Sequence, residues 1–161
     1  MTSAKLAAHE YLDQRGIPYR VLSFPPTTEK GAASVARALG FRESQMVKTL
    51  VFETGQGERV LVMVAADKSA ISGSLKRAIG SRDIRLAAPA AVKETTGYEI
   101  GSVPPFHWQP AGFRSFLDAA LLEEETLGVG AGVWGNEIVL TPADLVRASG
   151  ATVVNLTRPA P

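Results

Sequence analysis

The sequence predicts an α+β domain that is built on a mixed β-sheet. Its apolar segments switch between strand-like and helix-like patterns without the strict strand-helix-strand alternation of a parallel sheet. Two strand-like segments flank Gly55-Gln56-Gly57, a turn that is typical of a β-hairpin. The chain has 161 residues, of which 45% are hydrophobic and 20% are charged, as in an ordinary globular protein. Together these observations predict a single domain over residues 1–161 with a sizeable core.

Five helices are predicted from apolar residues at helical spacing, most of them followed by a glycine. They are residues 3–15, residues 31–39, a segment from Ser69 or Ser72 to Ile79, residues 89–95, and a segment from Pro142 to Gly150. In the third helix, either serine would act as the N-cap. The last helix has the clearest start, because Thr141 can cap it and the proline suits its first turn.

Eight strands are predicted from short runs of β-branched, aromatic and aliphatic residues. They are residues 19–24, 46–53, 58–65, 83–86, 113–117, 127–129, 137–140 and 152–156. Residues 97–112 are expected to have little regular structure, since they hold three prolines and three glycines. A loop of this length in a compact domain is usually functional or disordered. The glycine run at residues 128–135 matches no phosphate-binding or dinucleotide-binding motif, which favours a tight turn between strands.

An isolated lysine, Lys48, stands inside the apolar strand Met46-Val47-Lys48-Thr49-Leu50-Val51-Phe52. Burying an ammonium group without a partner costs several kcal/mol. Lys48 is therefore expected either to reach solvent at a strand end or to point into a cavity that needs a cation.

Composition excludes several classes of function. The net charge is +1, so no overall field would draw the chain onto nucleic acid, and DNA binding is not expected. There is no cysteine, which removes disulfides, thiolate catalysis and cysteine metal sites. The longest apolar run is residues 60–66, far below the roughly 18 to 20 residues of a membrane span, so no membrane partner is expected. A cytoplasmic location is the default.

Two basic groups could form a local nucleic-acid patch, although solvated charge on helix faces is the more ordinary interpretation. The first comprises Lys68, Lys76, Arg77, Arg82 and Arg85, and the second comprises Arg37, Arg42 and Lys48.

The sequence shows no arrangement typical of nucleophilic or metal catalysis. No nucleophile-elbow pattern surrounds any serine, and two histidines without a carboxylate motif make a poor metal site. His9 is expected on a helix surface. His107, next to Trp108, is expected to pack within its loop, with lining of a cleft as the alternative.

The chain contains several short motifs whose order along the sequence indicates a family. They are Val47-Lys48-Thr49-Leu50, Leu75-Lys76, Thr96-Gly97-Tyr98 with Gly101 and Pro105, Phe116-Leu117-Asp118, a glycine turn at residues 132–135, and Ile138, Leu140, Pro142, Asp144 and Leu145. In this order the chain resembles, over nearly its whole length, the YbaK-type aminoacyl-tRNA deacylases. These are freestanding editing proteins related to the insertion domain of bacterial prolyl-tRNA synthetases. The resemblance implies a mixed, largely antiparallel and partly barrel-like central sheet flanked by helices.

The same resemblance implies hydrolysis of a mischarged aminoacyl-tRNA at the ester that joins the amino acid to the terminal adenosine. It implies that Lys48 is the catalytic residue and holds the tRNA end with its aminoacyl group. The implied substrate-binding residues are Phe24, Thr49, Gly101, Ser102, Pro105, Gly132 and Asn136. No cofactor or metal is expected, because such enzymes use a thiol or ribose hydroxyl of the substrate itself. The implied partners are the 3′ end of aminoacyl-tRNA and, as a further candidate, prolyl-tRNA synthetase.

Three positions depart from relatives that act on cysteinyl-tRNA. Phe24 stands in place of a tyrosine, Asn136 in place of an aspartate, and Ser102 in place of a glycine. The departures leave open whether cysteine, alanine or another small residue is removed, with Cys-tRNA(Pro) and Ala-tRNA(Pro) as the named candidates. The alternative is a non-catalytic module on the same scaffold that binds tRNA, a synthetase or a nucleotide, including a small-molecule binder that uses Lys48 for a phosphate.

Overall fold

The computed structural model describes residues 5–159, which form eight strands and five α-helices. The strands are β1 (Arg20–Ser23), β2 (Val47–Thr54), β3 (Arg59–Ala65), β4 (Ile84–Leu86), β5 (Ser115–Asp118), β6 (Leu127–Gly130), β7 (Asn136–Leu140) and β8 (Thr152–Val154). The helices are α1 (Ala7–Gln14), α2 (Ala32–Leu39), α3 (Ser72–Ile79), α4 (Pro89–Thr96) and α5 (Pro142–Ser149). Short 3₁₀ turns cover Glu43–Gln45 and Ala119–Glu123.

The strands form two sheets. The larger has the order β4-β2-β3-β5-β8, in which β3-β5 and β5-β8 are parallel and the other two pairs are antiparallel. The smaller has the order β1-β7-β6 and is antiparallel throughout. The expected α+β fold with a mixed, largely antiparallel arrangement is confirmed. The sheets meet at a single parallel bridge between Met46 and Gly128, and no ladder within the described residues closes them into a barrel.

The central strand β3 is buried on both faces, as its continuous apolar sequence requires. Leu61, Met63 and Ala65 contribute to the main core, which also contains residues of the smaller sheet. Val60, Val62 and Val64 face the other way and pack with Leu75 and Ile79 of α3. Helix α3 therefore covers the middle of the larger sheet, and strand β4 remains at the sheet edge.

The start of α3 differs from the sequence expectation. Its N-cap is Ile71, with no side-chain cap, and the expected serine caps are wrong. The chain enters this helix under a tertiary constraint, because the Ile71 amide donates a hydrogen bond to the Leu156 carbonyl at 2.7 Å. That contact lies 85 residues away in sequence, so a local capping rule could not reveal it.

The expectation that His9 lies on a helix surface is also wrong, since this residue is only 4% exposed. Its ring stacks on Tyr19, and its Nδ1 accepts a hydrogen bond from the Leu6 amide at 3.1 Å. His9 thus occupies the inner face of α1 and supplies a cap for its own helix. Residues 3 and 4 of the predicted first helix lie outside the described residues.

A membrane-spanning helix would need a longer apolar stretch than any helix within residues 5–159 provides.

Candidate active site

A cavity of about 250 Å³ lies where the two sheets meet, and we call it the central cavity. Its walls come from α2 and the segment before it, from β2, from the loop after α4, and from the β6-β7 hairpin. The lining residues are Gly31, Ala32, Val35, Met46, Val47, Lys48, Thr49, Leu50, Ile100, Gly101, Val103, Gly130, Trp134 and Glu137. The lining is mostly apolar with a few polar groups, as in most small-molecule sites.

Lys48 lies in the wall of this cavity and is partly exposed. It belongs to β2 and pairs with Val64 across the hairpin. Its Nζ donates a hydrogen bond to the Lys68 carbonyl at 2.5 Å. No carboxylate within residues 5–159 forms an ion pair with it. Of the two positions expected for Lys48, the structure gives the one at a cavity.

The loop at residues 97–112 brings Gly101 to the cavity and is held closely against the β6-β7 hairpin. Gly101 has φ +90°, a conformation that favours glycine. The Gly132 amide donates to the Ser102 carbonyl at 2.8 Å. A Cβ at Gly130 would lie 3.0 Å from the Ser102 carbonyl carbon and oxygen. Glycine at position 130 therefore permits the close approach of loop and strand.

Side chains of the same loop fix its second half. The Tyr98 hydroxyl and His107 Nε2 are 2.5 Å apart. Trp108 Nε1 donates to the Pro104 carbonyl at 2.6 Å, and Gln109 Nε2 donates to the Pro105 carbonyl at 2.9 Å. Burial lowers the pKa of His107, so its imidazole is neutral at pH 7. His107 packs within the loop and is not among the residues that line the cavity.

A buried carboxyl group, Glu137, also lines the central cavity. It is 8% exposed, and its side chain forms no hydrogen bond or ion pair with the described part of the chain. Burial without a compensating partner raises the pKa of Glu137 to about 8. An unpartnered, buried carboxyl group in a cleft is typical of a functional site. The cavity thus holds a cationic and an acidic group that do not pair with each other.

Two further polar atoms in the cavity wall are buried without a hydrogen-bond partner among the described residues. They are the Thr49 hydroxyl and Trp134 Nε1. The Trp134 ring meets Phe24 edge-to-face at a centroid distance of 4.9 Å, and Lys30 Nζ lies 3.9 Å from its centroid. His9 Nε2 and Ser115 Oγ, which lie outside the cavity, are buried and unpaired in the same way, so such atoms do not by themselves mark a ligand site.

The structure brings only some of the residues expected at the site to the cavity surface. Lys48, Thr49 and Gly101 line it. The other expected residues, Phe24, Ser102, Pro105, Gly132 and Asn136, are not among the residues that line it. They support it through backbone hydrogen bonds and packing, such as the bond from the Phe24 amide to the Gly135 carbonyl at 2.9 Å.

Sequence reasoning missed Glu137 and Trp134. The family resemblance indicated that Asn136 stands where relatives have an acidic residue. In the structure Asn136 pairs with Ser23 in the sheet, and it is the neighbouring residue, Glu137, that places a carboxyl group in the cavity wall. The signal that singled out Lys48 was also present here: Glu137 is an isolated charge in the apolar strand Asn136-Glu137-Ile138-Val139-Leu140.

Within residues 5–159, no group of three or more histidine and acidic side chains is arranged to hold a metal ion.

Comparison with known proteins gives consistent matches over most of the chain. The family described as "Aminoacyl-tRNA editing domain" matches residues 27–148. The multifunctional Ser/Thr-tRNA deacylase ProXp-y of Escherichia coli is 32% identical over 153 residues, which cover 92% of this chain and 90% of that protein. A proline-tRNA ligase of Maridesulfovibrio salexigens is 34% identical over 97 residues, 60% of this chain and 16% of the ligase.

Solved structures agree with these matches. The crystal structure of a candidate trans-editing enzyme for prolyl tRNA synthetase superimposes with a TM-score of 0.84 and 30% sequence identity. The superposition covers 98% of this chain and 100% of that chain. The whole described fold, including both sheets around the central cavity, is therefore shared with that protein.

Proposed function

This chain belongs to the aminoacyl-tRNA editing domain family, and from that premise we propose that it hydrolyses the ester between a small amino acid and the 3′-terminal adenosine of a mischarged tRNA. The observation that carries the proposal is that an unpaired cation, Lys48, and a buried carboxyl group without a partner, Glu137, lie in the wall of one small cavity. An aminoacyl ester of a nucleotide presents the complementary groups, an α-ammonium and an electron-rich carbonyl oxygen beside a phosphate-bearing chain.

In the proposed complex, Glu137 binds the α-ammonium of the aminoacyl group. Glu137 has no cationic partner within the described residues, and the substrate ammonium supplies one. The charge-assisted hydrogen bond between them is of a kind that is among the stronger ones in proteins. The ammonium in turn favours the ionised form of Glu137, whose pKa burial otherwise raises to about 8. This contact also orients the ester relative to Lys48.

Lys48 is the proposed catalytic residue. Water, activated by a hydroxyl of the substrate, adds to the carbonyl carbon, and the terminal ribose oxygen leaves with a proton. An ammonium in a partly dry cleft stabilises the negative charge that develops on the carbonyl oxygen. The backbone at Gly101 approaches the same ester from the opposite wall, because glycine leaves room for it. An activated ester needs little more than orientation and charge stabilisation.

The amino acid that is removed is proposed to be small. Cysteine and alanine on tRNA(Pro) remain candidates from the family resemblance. The relative from Escherichia coli is named as a Ser/Thr-tRNA deacylase. Serine and threonine therefore join the candidates and are placed first.

The cellular setting follows from the substrate. We place the protein in the cytoplasm, where it would act on aminoacyl-tRNA after a synthetase has released it and so protect the fidelity of translation. Prolyl-tRNA synthetase is the proposed candidate for a protein partner, since part of the chain is similar to a proline-tRNA ligase.

The test is deacylation of a panel of charged tRNAs: Ser-tRNA, Thr-tRNA, Cys-tRNA(Pro), Ala-tRNA(Pro) and Pro-tRNA(Pro), with Lys48→Ala as the control. Turnover of a mischarged species that is lost in the variant supports the proposal. A folded protein that binds charged tRNA without turning over any member of the panel would instead indicate a non-catalytic binding module.

A further inference from the structure

A second depression, which we call the β4-edge groove, lies beside the central cavity and has a volume of about 310 Å³. It is lined by Lys48, Leu50, Phe52, Val64, Ser69, Ala70, Ser72, Leu75, Ile84, Arg85 and Leu86. Lys48 and Leu50 line both depressions, so the groove begins where the central cavity ends. None of the groove residues beyond these two has a role in the proposed hydrolysis.

The floor of the groove is an apolar strip that the fold leaves uncovered. Leu50 and Phe52 point to the face of the sheet on which α3 packs, and Leu86 pairs directly with Phe52 across the β2-β4 ladder. Helix α3 packs on the valines of β3, and Ile84 at the start of β4 packs against the same cluster, but Leu86 does not belong to it. Leu86 is consequently 55% exposed. An apolar surface next to a proposed active site is typical of a place where part of a ligand docks.

The rim of the groove is polar and positively charged, and no acidic residue lines it. Ser69 and Ser72 present exposed hydroxyl groups. Arg85 is paired with Glu53 at 2.7 Å, whereas Lys48 has no carboxylate partner within residues 5–159. The groove therefore combines an apolar floor, hydroxyl groups and an unpaired cation, which suits a nucleotide: bases stack on apolar and aromatic surfaces, and phosphates need cations and hydroxyl donors.

We propose that the β4-edge groove binds the 3′-terminal nucleotides of the tRNA acceptor strand, with a base on the strip of Phe52 and Leu86 and a phosphate near Lys48 and Ser72. This inference rests on the proposed function, because the aminoacyl group is taken to occupy the central cavity. The two depressions share Lys48 and Leu50 in their linings, and the part of the substrate that follows the aminoacyl group is the terminal nucleotide. The groove is the depression that this part would meet.

The test separates the nucleotide from the ester by using three substrates with the same amino acid: the aminoacyl-tRNA, the 3′-aminoacyl ester of adenosine monophosphate, and the 3-aminoacyl ester of methyl riboside, which keeps the ribose hydroxyl but has no base or phosphate. Leu86→Glu places a negative charge on the strip, and Leu86→Lys removes the same leucine but leaves the charge favourable. We expect Leu86→Glu to raise KM for the two nucleotide substrates by about tenfold and Leu86→Lys to raise it much less. The methyl riboside ester, which has no base or phosphate for the groove, should be hydrolysed by both variants as by the unaltered protein.

A second variant and a matched control guard against a folding effect. Ser72→Asp puts an acid in the first turn of α3, where it favours the helix but repels a phosphate. It should therefore raise KM for the nucleotide substrates without lowering thermal stability. Leu122→Glu makes the same change as Leu86→Glu at a leucine that is 45% exposed and lies outside both depressions, and it should leave KM unchanged.

Direct binding completes the test and does not depend on catalysis. A titration with the trinucleotide CCA, followed by NMR, should shift amide resonances of β4 and of the start of α3. Unchanged KM in both Leu86→Glu and Ser72→Asp, or a trinucleotide that shifts resonances elsewhere, overturns the proposal. Equal losses on the methyl riboside ester also overturn it, and losses that appear only when a synthetase is present would assign the groove to a protein. Failure of the unaltered protein on every ester, with CCA still bound in the groove, would overturn the proposed hydrolysis alone.

Discussion

The central cavity and the β4-edge groove share Lys48 and Leu50 but differ in what they require of the fold. The cavity buries a carboxyl group, Glu137, and two polar atoms that have no partner among the described residues. The groove buries no such group: its floor is a partly exposed apolar strip, and its polar side chains lie at the exposed rim. The cavity thus lowers the stability of the folded protein, whereas the groove costs it little.

This difference separates two tasks. Unpaired buried polar groups discriminate strongly between ligands, because a ligand that lacks the matching group leaves them unpaired. An open apolar strip with a cation at its rim adds affinity with little selectivity, as single-stranded nucleic acid sites do. We therefore expect the cavity to determine which amino acid is removed, and the groove to determine how tightly any acceptor end is held.

The largest effect is expected at Lys48, because it belongs to both regions. Lys48→Met keeps the unbranched stem and removes the charge. Loss of a charge-assisted contact of about 1.5 to 3 kcal/mol would reduce kcat/KM about ten- to a hundredfold, and by more if the ammonium also stabilises the oxyanion. Steady-state kinetics on aminoacyl-tRNA should show a lower kcat together with a higher KM.

Lys93→Met is a suitable control for that variant, since Lys93 is an exposed lysine whose ion pair with Glu99 lies at the surface. It should retain normal kinetics, because exposed ion pairs contribute little. Normal turnover in Lys48→Met would contradict the role assigned to this residue in both regions.

The next effect tests the central cavity alone. Glu137→Gln keeps the shape of the side chain but removes the carboxylate that is proposed to bind the α-ammonium. We expect kcat/KM to fall about tenfold or more for substrates with a free amine. N-acetylated aminoacyl-tRNA has no ammonium group, so the variant and the unaltered protein should hydrolyse it at similar rates. A similar fall for both substrates would show that Glu137 does not read the amine.

The same variant should make the folded protein more stable, which distinguishes this residue from an ordinary structural one. The carboxyl group ionises near 4.5 when unfolded, and burial raises its pKa to about 8 in the folded state. Between these values the unfolded chain has released a proton that the folded chain retains, so the free energy of unfolding falls as pH rises. The slope from this group is at most about 1.4 kcal/mol per pH unit. Chemical denaturation from pH 5 to 8 should show a shallower fall in Glu137→Gln.

A moderate effect on KM is expected from the salt concentration, and only for substrates that bind in the groove. If two phosphates of the acceptor end contact the protein, KM for aminoacyl-tRNA should rise about sevenfold between 50 and 200 mM salt, from a slope of roughly 0.7 per phosphate on a single strand. Hydrolysis of the aminoacyl ester of methyl riboside, which has no phosphate, should not change over this range. Equal salt dependence of both substrates would remove the distinction between the two regions.

Most secondary structure could be predicted from the sequence because its boundaries are marked locally. Gly40, Gly80 and Gly150 end three helices in the left-handed conformation, as their positions after apolar segments indicate. The hairpin at residues 55–57 also needed only local information. The N-cap of α3 at Ile71 depends on a contact with Leu156 that is distant in sequence, and that expectation failed. The expected surface position of His9 failed as well, because its ring stacks on Tyr19 on the inner side of α1.

The site was only partly predictable for the same reason. Lys48 stands out as a charge in an apolar strand whatever the rest of the fold is. Glu137 is also an isolated charge in an apolar strand, but the family resemblance singled out its neighbour Asn136 instead. The direction of a side chain in a strand depends on register, and a shift of one residue exchanges the faces. Only the pairing of Glu137 with Leu22 and Gly130 shows that it turns to the cavity.

The smallest effect on activity is expected from a pair of glycine-to-alanine changes that compares the two regions directly. At Gly130, beside the central cavity, a Cβ would lie 3.0 Å from the backbone of Ser102 and Val103. The loop that carries Gly101 must therefore shift, and we expect a loss of roughly 1 to 3 kcal/mol in unfolding free energy, with a fall in kcat of a few-fold. At Gly73, in α3, a Cβ meets only the flexible end of Arg77 at 3.4 Å.

Gly73→Ala should instead stabilise the protein by about 0.4 to 1 kcal/mol, because alanine loses less backbone entropy in a helix, and it should leave kcat unchanged. Opposite signs in thermal unfolding would show that the cavity wall is packed to its limit while the helix beside the groove is not. If Gly130→Ala were as stable and as active as the unaltered protein, the loop would have room to move. The cavity could then not hold its shape well enough to select among small side chains.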